Sequence, residues 1–364
     1  MPRWLSEGIS VYEELKKNPS WGQRMIPKYV QFMDAGDFTP LSRLSLAFLT
    51  SKSSEHLQFA YYESYLAVDY IVREFGMGAL RKVLEDLGKG DWINIALERH
   101  CKPLAELDQE FEEHVTVLAR NLAPELDFTA LEKPPGQGAR RGLLNLADAK
   151  KPEVLKVPGA NNYFGLAAEA MGLIRAEKYE AAKVPLKKII ESYPDDISPN
   201  GALRMMAMVH RQLEEDEAER KLLVRLALLD SDGLDVNTRL LDIEAGRENW
   251  TGVRKSARRY LAINPLNARP YRFQAEAFEQ TGQTKEAIAA WEKVLLFDPA
   301  DPADVHFRLA SLLAEDQQKA LARRHVLRSL EEAPRFRDAH RLLLKLSPPL
   351  TSAGKKPANP KAAQ

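Results

Sequence analysis

Apolar residues fall at spacings of three and four along most of this chain, the period of a helix buried on one side. The clearest stripe runs over residues 58–75, where Tyr61, Tyr65, Val68, Val72 and Phe75 recur and Gly76 is placed to end the helix. A second stripe carries Leu104, Leu107, Phe111, Val115, Leu118 and Leu122 after Pro103. An opening helix breaks at Asn18-Pro19-Ser20-Trp21-Gly22, and shorter helices are predicted over 26–33, 41–49 and 91–97. Residues 132–142 then have the Pro and Gly content of a linker, with a weak helix over 143–149 and another break at Pro158-Gly159. The expectation is an all-α chain: a helical domain over 1–128, a linker over 129–159, an array over 160–346 and a short basic, disordered tail over 347–364.

Within the array the helical pattern repeats. Ala182, Ala218, Val253, Ala287 and Ala322 are 36, 35, 34 and 35 residues apart. Twelve residues before each stand Ala170, Met206, Leu241, Ala275 and Ala310; twelve after stand Pro194, Asp230, Pro265, Pro299 and Pro334. Small or apolar residues at two fixed points let paired helices cross closely, and the prolines stop the second helix of each pair. Tyr179 and Trp250 share one position near the turn within a pair, Gly282 marks that turn in the fourth, and Trp291 fills the bulky position that Leu186 fills in the first. This grid resembles tetratricopeptide (TPR) repeats: five of them, the second and third degenerate, closed by a capping helix over 338–346. The resemblance implies an α-solenoid whose first helices line a groove for a protein or peptide partner. The implied groove positions hold Met171 and Arg175, then Ala207, His210 and Arg211. They continue with Asp242, with Arg269, Arg272, Glu276 and Glu279, and with Phe307 and Glu315. The Lys and Asn clamp by which some TPR proteins hold C-terminal carboxylates is absent.

Charge adds a constraint. Lys plus Arg and Asp plus Glu number 52 each, and the isoelectric point is about 7.1, which argues against nucleic acid or an anionic membrane as the main partner. Apolar residues are 45% and charged residues 29%, the balance of a globular chain. No apolar run approaches the roughly 18 residues of a membrane span, and no signal peptide is visible at Met1, so the compartment stays undetermined. The single Cys101 can form no internal disulfide. Beside His100 it invites a nucleophile reading, against which stands a buried or rim cysteine with no orienting partner. His114 sits beside an apolar face and reads as structural.

The opening helix contains Trp4-Leu5-Ser6-Glu7-Gly8, and residues 59–68 read Phe-Ala-Tyr-Tyr-Glu-Ser-Tyr-Leu-Ala-Val. Together they resemble the helical subdomain of the gluzincin (peptidase-MA-like) zinc metallopeptidases, over about the first third of the chain. In that family the W-L-x-E-G glutamate is the third zinc ligand, a role the resemblance gives to Glu7. A tyrosine three residues before a small residue on the next helix steadies the oxyanion, which matches Tyr61 before Ser64. A carboxylate wedged between Trp4, Leu5 and Ile9 is expected to be costly to bury without a cation. Two plainer readings stand beside these: Glu7 as a carboxylate favoured by the start of its helix, and Tyr61 as a core tyrosine. A hydrolytic zinc also needs an H-E-x-x-H helix. The seven histidines are His56, His100, His114, His210, His306, His325 and His340; no two are four apart and none precedes Glu.

The expected function is therefore a TPR interaction scaffold joined to an incomplete metallopeptidase-like domain, with no cofactor of its own. The alternative is the C-terminal portion of an active zinc peptidase, whose H-E-x-x-H helix would lie upstream of Met1 and would bring zinc with it.

Overall fold

The structure is a computed structural model that describes residues 1–21, 23–130 and 159–347. Most of the linker and all but the first residue of the expected tail lie outside the described residues, as does the weak helix over 143–149. Every named element among the described residues is a helix, and the chain divides into two compact units, Met1–Asp232 and Gly233–Gln364.

The first unit opens with α1 (Arg3–Lys17), α2 (Pro27–Asp34) and a 3-10 turn (Leu41–Leu46), followed by α3 (Ser54–Gly88), α4 (Ile93–His100) and α5 (Leu104–Arg120). Two sequence expectations need correction. Where a helix is expected over 41–49, Leu41–Leu46 form a tighter 3-10 turn, with Leu41 and Leu44 buried. Gly76 does not end the long helix: at φ 79° it breaks α3, and helix resumes at once to bury Ala79, Leu80 and Val83. Ser53 caps the start of α3 by accepting the His56 N–H. Phe59, Tyr62, Leu66 and Ile71 are the deeply buried residues of α3, and Tyr61 and Tyr65 lie at its margin.

From Tyr163 onward the chain runs as helix pairs. The first unit contains α6 (Tyr163–Arg175) with α7 (Tyr179–Ser192), then α8 (Ala202–Gln212) with α9 (Asp216–Leu229). The second contains α10 (Leu234–Gly246) with α11 (Trp250–Ile263), α12 (Ala268–Gln280) with α13 (Thr284–Leu295), α14 (Pro302–Glu315) with α15 (Lys319–Glu332), and α16 (Arg337–Leu346). Every pair turns in the same way. Glu177, Glu214, Glu248, Gly282 and Gln317, spaced 37, 34, 34 and 35 apart, all have left-handed backbone, with φ between 54° and 69°. The next residue returns its N–H to the carbonyl five back: Lys178 to Leu173, Glu215 to His210, Asn249 to Glu244, Gln283 to Phe278 and Gln318 to Leu313, at 2.8–2.9 Å. These are Schellman turns, and four of the five hold the left-handed position with a residue other than glycine, a strain of about 1 kcal/mol each.

The turns set the register of the repeats and correct one part of the sequence grid. In four pairs the small anchor lies five residues after the left-handed residue, but Ala218 lies four after Glu214. The second anchor is therefore Glu219, fully buried and held by the Arg211 Nε at 2.7 Å. By the same shift Ala207, expected in the groove, takes the close-crossing position and is 2% exposed. The second repeat thus carries a buried charge at a position that alanine or valine holds in the others.

Packing also cuts across the sequence boundary at 128–160. One hydrophobic core runs from Trp4 and Phe59 through Tyr163 and Leu186 to Val209. Tyr193 Oη donates to the Met25 carbonyl at 3.3 Å and Ser231 Oγ to the Ser20 carbonyl at 2.6 Å. Asp127 and Asn162 meet as an isolated parallel bridge, and Phe128 packs on Tyr163. The first two helix pairs thus belong to the same compact unit as the helices of residues 3–120.

Candidate functional site

The seam between α1 and α3 gathers the residues that the peptidase resemblance singles out. Trp4 and Leu5, 1% and 0% exposed, anchor α1, and Gly8 lies directly against the Ser64 carbonyl of α3. That crossing leaves Arg3 and Glu7 one helical turn apart beside Tyr61. Arg3 Nη2 donates to the Tyr61 hydroxyl at 2.7 Å, and Arg3 Nε lies 3.5 Å from Glu7 Oε1. The guanidinium sits 4.7 Å from the centre of the Phe48 ring, which meets Tyr61 edge to face. The two residues singled out, 54 positions apart in sequence, thus belong to one cluster with Arg3 at its centre. The burial expected for Glu7 is not found: its side chain is 35% exposed and its counter-charge is Arg3. A guanidinium in that place opposes a second cation, because like charges a few ångströms apart repel. Among the described residues, no group of three His, Cys, Asp or Glu side chains is placed to hold a metal ion.

Other titratable groups of this unit are committed locally. His100 Nε2 bonds Asp86 at 2.8 Å, so its ring faces α3 rather than the adjacent thiol. That bond, with Lys89 and Arg99, holds the Asp86 carboxyl well below the usual range. Burial pushes the Cys101 thiol up to about 11, which opposes the nucleophile reading because the thiolate is the reactive form. His114, packed beside Tyr70, has its proton affinity lowered by burial, and its Nε2 finds no hydrogen-bond partner among the described residues. Asp37, His56 and Glu63 line a cavity of about 70 Å³, in which Asp37 is paired with Lys52 and His56, and Glu63 accepts the Thr39 N–H at 2.7 Å. A larger cavity of about 490 Å³ lies between α2 and α5, with Met33, Phe38 and Arg120 in its wall.

The groove candidates fall into two sets, one in each unit. In the first, Met171 is half-buried against the core and Arg175 is exposed. His210 pairs with Glu215, which also takes the Lys183 ammonium at 2.8 Å. Arg211 is drawn to the buried Glu219. In the second unit the charges pair across successive first helices and within α12. Asp242 of α10 pairs with Arg269 of α12, Arg272 with Glu276 at 3.0 Å, and Glu279 of α12 with Arg308 of α14 at 2.9 Å. Glu279 also accepts the Trp291 indole N–H at 2.7 Å, and burial raises its proton affinity against the pull of Arg308. Phe307 packs on Phe336, and Glu315 is exposed. Sequence reasoning did not reach Arg3, Arg308 or Glu219. An arginine four residues before Glu7 was a legible i,i+4 partner; nothing local marked the other two.

No family model matches the sequence, and no curated protein matches it. Among solved structures, the crystal structure of MamA is 14% identical over 46% of this chain and 92% of its own, with a TM-score of 0.37. YrrB, a TPR protein with an unusual peptide-binding site, is 14% identical over 49% of this chain and 90% of its own, with a TM-score of 0.39. A thermophilic TPR protein of Thermus thermophilus is 16% identical over 50% of this chain and 98% of its own, with a TM-score of 0.27.

Proposed function

We propose that this chain is a protein-docking scaffold of TPR-like helix pairs, joined to a helical domain that resembles part of a metallopeptidase and is not catalytic. The observation that carries this reading is the row Asp242, Arg269, Arg272, Glu276, Glu279 and Arg308 along α10, α12 and α14. Asp242–Arg269 and Glu279–Arg308 pair between successive first helices and Arg272–Glu276 pairs within α12, so a bound segment meets groups of both charge signs along the row. Such a row selects partners by electrostatic complementarity more than by raw affinity. The ligand would be a protein or peptide, and no helix among the described residues is long and apolar enough to cross a membrane. The test is an array of short peptides probed with the wild-type chain and with the Arg269→Glu/Arg272→Glu variant. The spots that bind the wild type are expected to weaken about tenfold or more in the variant. An unchanged pattern of spots would remove the groove from the account.

A second reading draws on the Arg3 cluster, because it unites Glu7 with Tyr61. In it the helical domain is part of a zinc peptidase whose H-E-x-x-H helix is not among these 364 residues. Glu7 would serve as one ligand and the Tyr61 hydroxyl as a donor to a substrate carbonyl, once Arg3 had released both; the metal would supply the Lewis acid. Zinc content after dialysis separates the readings. The expected result is substoichiometric zinc, unchanged by Glu7→Gln. One tightly held zinc per chain that disappears in the variant would favour the peptidase.

A further inference from the structure

Helix α11 carries Arg254, Lys255, Arg258 and Arg259 without one acidic residue, in a chain whose opposite charges balance overall. Carboxylates and cations pair on α10, α12 and α14, but among the described residues the cations of α11 form no ion pair. Arg254 donates to a neutral group, the Gln283 amide oxygen, at 2.7 Å, and its guanidinium lies 5.6 Å from the Phe278 ring centre. Lys255 and Arg258 are exposed and form no ion pair among the described residues. Arg259 binds its proton less tightly than a free arginine, first through burial and then through the charge of Arg258.

This excess surrounds a recess. Thr251, Arg254, Lys255 and Arg258 of α11 face Gln274 and Phe278 of α12 around a cavity of about 310 Å³. Thr251, Arg254 and Arg258 lie three and four apart on one helical face, as do Gln274 and Phe278 on theirs. The wall therefore offers guanidinium, ammonium, hydroxyl and amide donors beside one aromatic ring, and no carboxylate lines it. A group that satisfies all of these is an anion on a short apolar stem.

We infer that the seam between α11 and α12 is a docking site for an acidic peptide segment. A glutamate or aspartate carboxylate lies against Arg254, Lys255 and Arg258, and its methylenes lie on Phe278. The volume is at the small end of the roughly 300–1,000 Å³ of ligand pockets, which suits side chains rather than a nucleotide chain. A polynucleotide also needs a basic track longer than the two turns of α11 over which these cations run. The site is separate from the groove: Gln274 and Phe278 are two residues out of step with Arg272 and Glu276, on the other side of α12.

The probe is a fluorescein-labelled hexaglutamate peptide, followed by anisotropy with the full chain. Three proteins are compared: wild type, Lys255→Glu/Arg258→Glu, and Arg269→Glu/Arg272→Glu. The residues changed on α11 are exposed, so the fold is kept, and circular dichroism checks it. Binding to wild type is expected, weakened about tenfold or more in the α11 variant, retained in the groove variant, and reduced as salt rises from about 50 mM to about 300 mM. No binding of the peptide, or equal binding by wild type and the α11 variant, overturns the inference and leaves the groove reading intact. Loss in the groove variant alone assigns the peptide to the groove and also overturns it. Tighter binding of a single-stranded oligodeoxynucleotide that displaces the peptide does so as well.

Discussion

Gly8→Ala is expected to destabilise the first unit by about 3–5 kcal/mol, the largest effect expected among the described glycines. A Cβ at this position would lie 2.2 Å from the Ser64 carbonyl oxygen, 2.7 Å from its carbon and 2.8 Å from Val68 Cγ2. Two of these atoms are backbone in the middle of α3 and have nowhere to go. Ser64 already folds its hydroxyl back onto the Ala60 carbonyl at 2.6 Å, so that side of the crossing cannot become smaller. Helix α1 would have to lift, and Trp4 and Leu5 would lose burial worth about 1.5–3 kcal/mol each. Gly172→Ala on α6 is the control, because its Cβ would meet nothing within 4 Å. It is expected to be neutral or to stabilise by up to about 1 kcal/mol through helix propensity. Urea denaturation measures both. A Gly8→Ala chain with the wild-type midpoint would mean that α1 does not cross α3 at Ser64.

The same crossing shows what could be read from the sequence and what could not. Trp-Leu-x-Glu-Gly and the small residue after Tyr61 are local patterns, and they located both helices of the contact. That Arg3 would join Glu7 to Tyr61 depends on the angle of the crossing, which no local pattern carries. In the array, the period was legible because alanine at a close crossing and proline after a helix are chemically forced choices. The second repeat slipped by one because Ala218 offers an alanine directly before Glu219, the residue that the turn at Glu214 places at the crossing. Glu219 compounded the slip: a buried carboxylate held by Arg211 reads as exposed until its partner is seen. Gly76 showed that the backbone would bend but not that it would resume helix. The pairing of Tyr193 with Met25, 168 residues away, is a property of tertiary packing alone, so the first two repeats looked separable from the helices with which they share a core.

Glu63→Gln is expected to stabilise the first unit at alkaline pH and to change little at pH 5. Glu63 is 1% exposed on α3 and faces Asp37 across the small cavity. Burial, aided by the Asp37 charge and only partly offset by the Thr39 hydrogen bonds, pushes its carboxyl from 4.5 up to about 8. The folded chain therefore keeps a proton between about pH 4.5 and pH 8 that the unfolded chain gives up. Stability linked to this group is fully present below the unfolded value and is lost as pH rises through that window. Above pH 8 the folded chain holds a buried carboxylate, at a cost on the order of 2–4 kcal/mol. Glutamine keeps an oxygen for the Thr39 N–H and carries no charge, so the variant should lack this part of the pH dependence. Thermal melts of both proteins at pH 5, 7 and 9 should give curves that start together and separate as pH rises, with the variant higher. Curves separated by a constant amount would mean that Glu63 keeps an ordinary carboxyl and has water or a cation at hand.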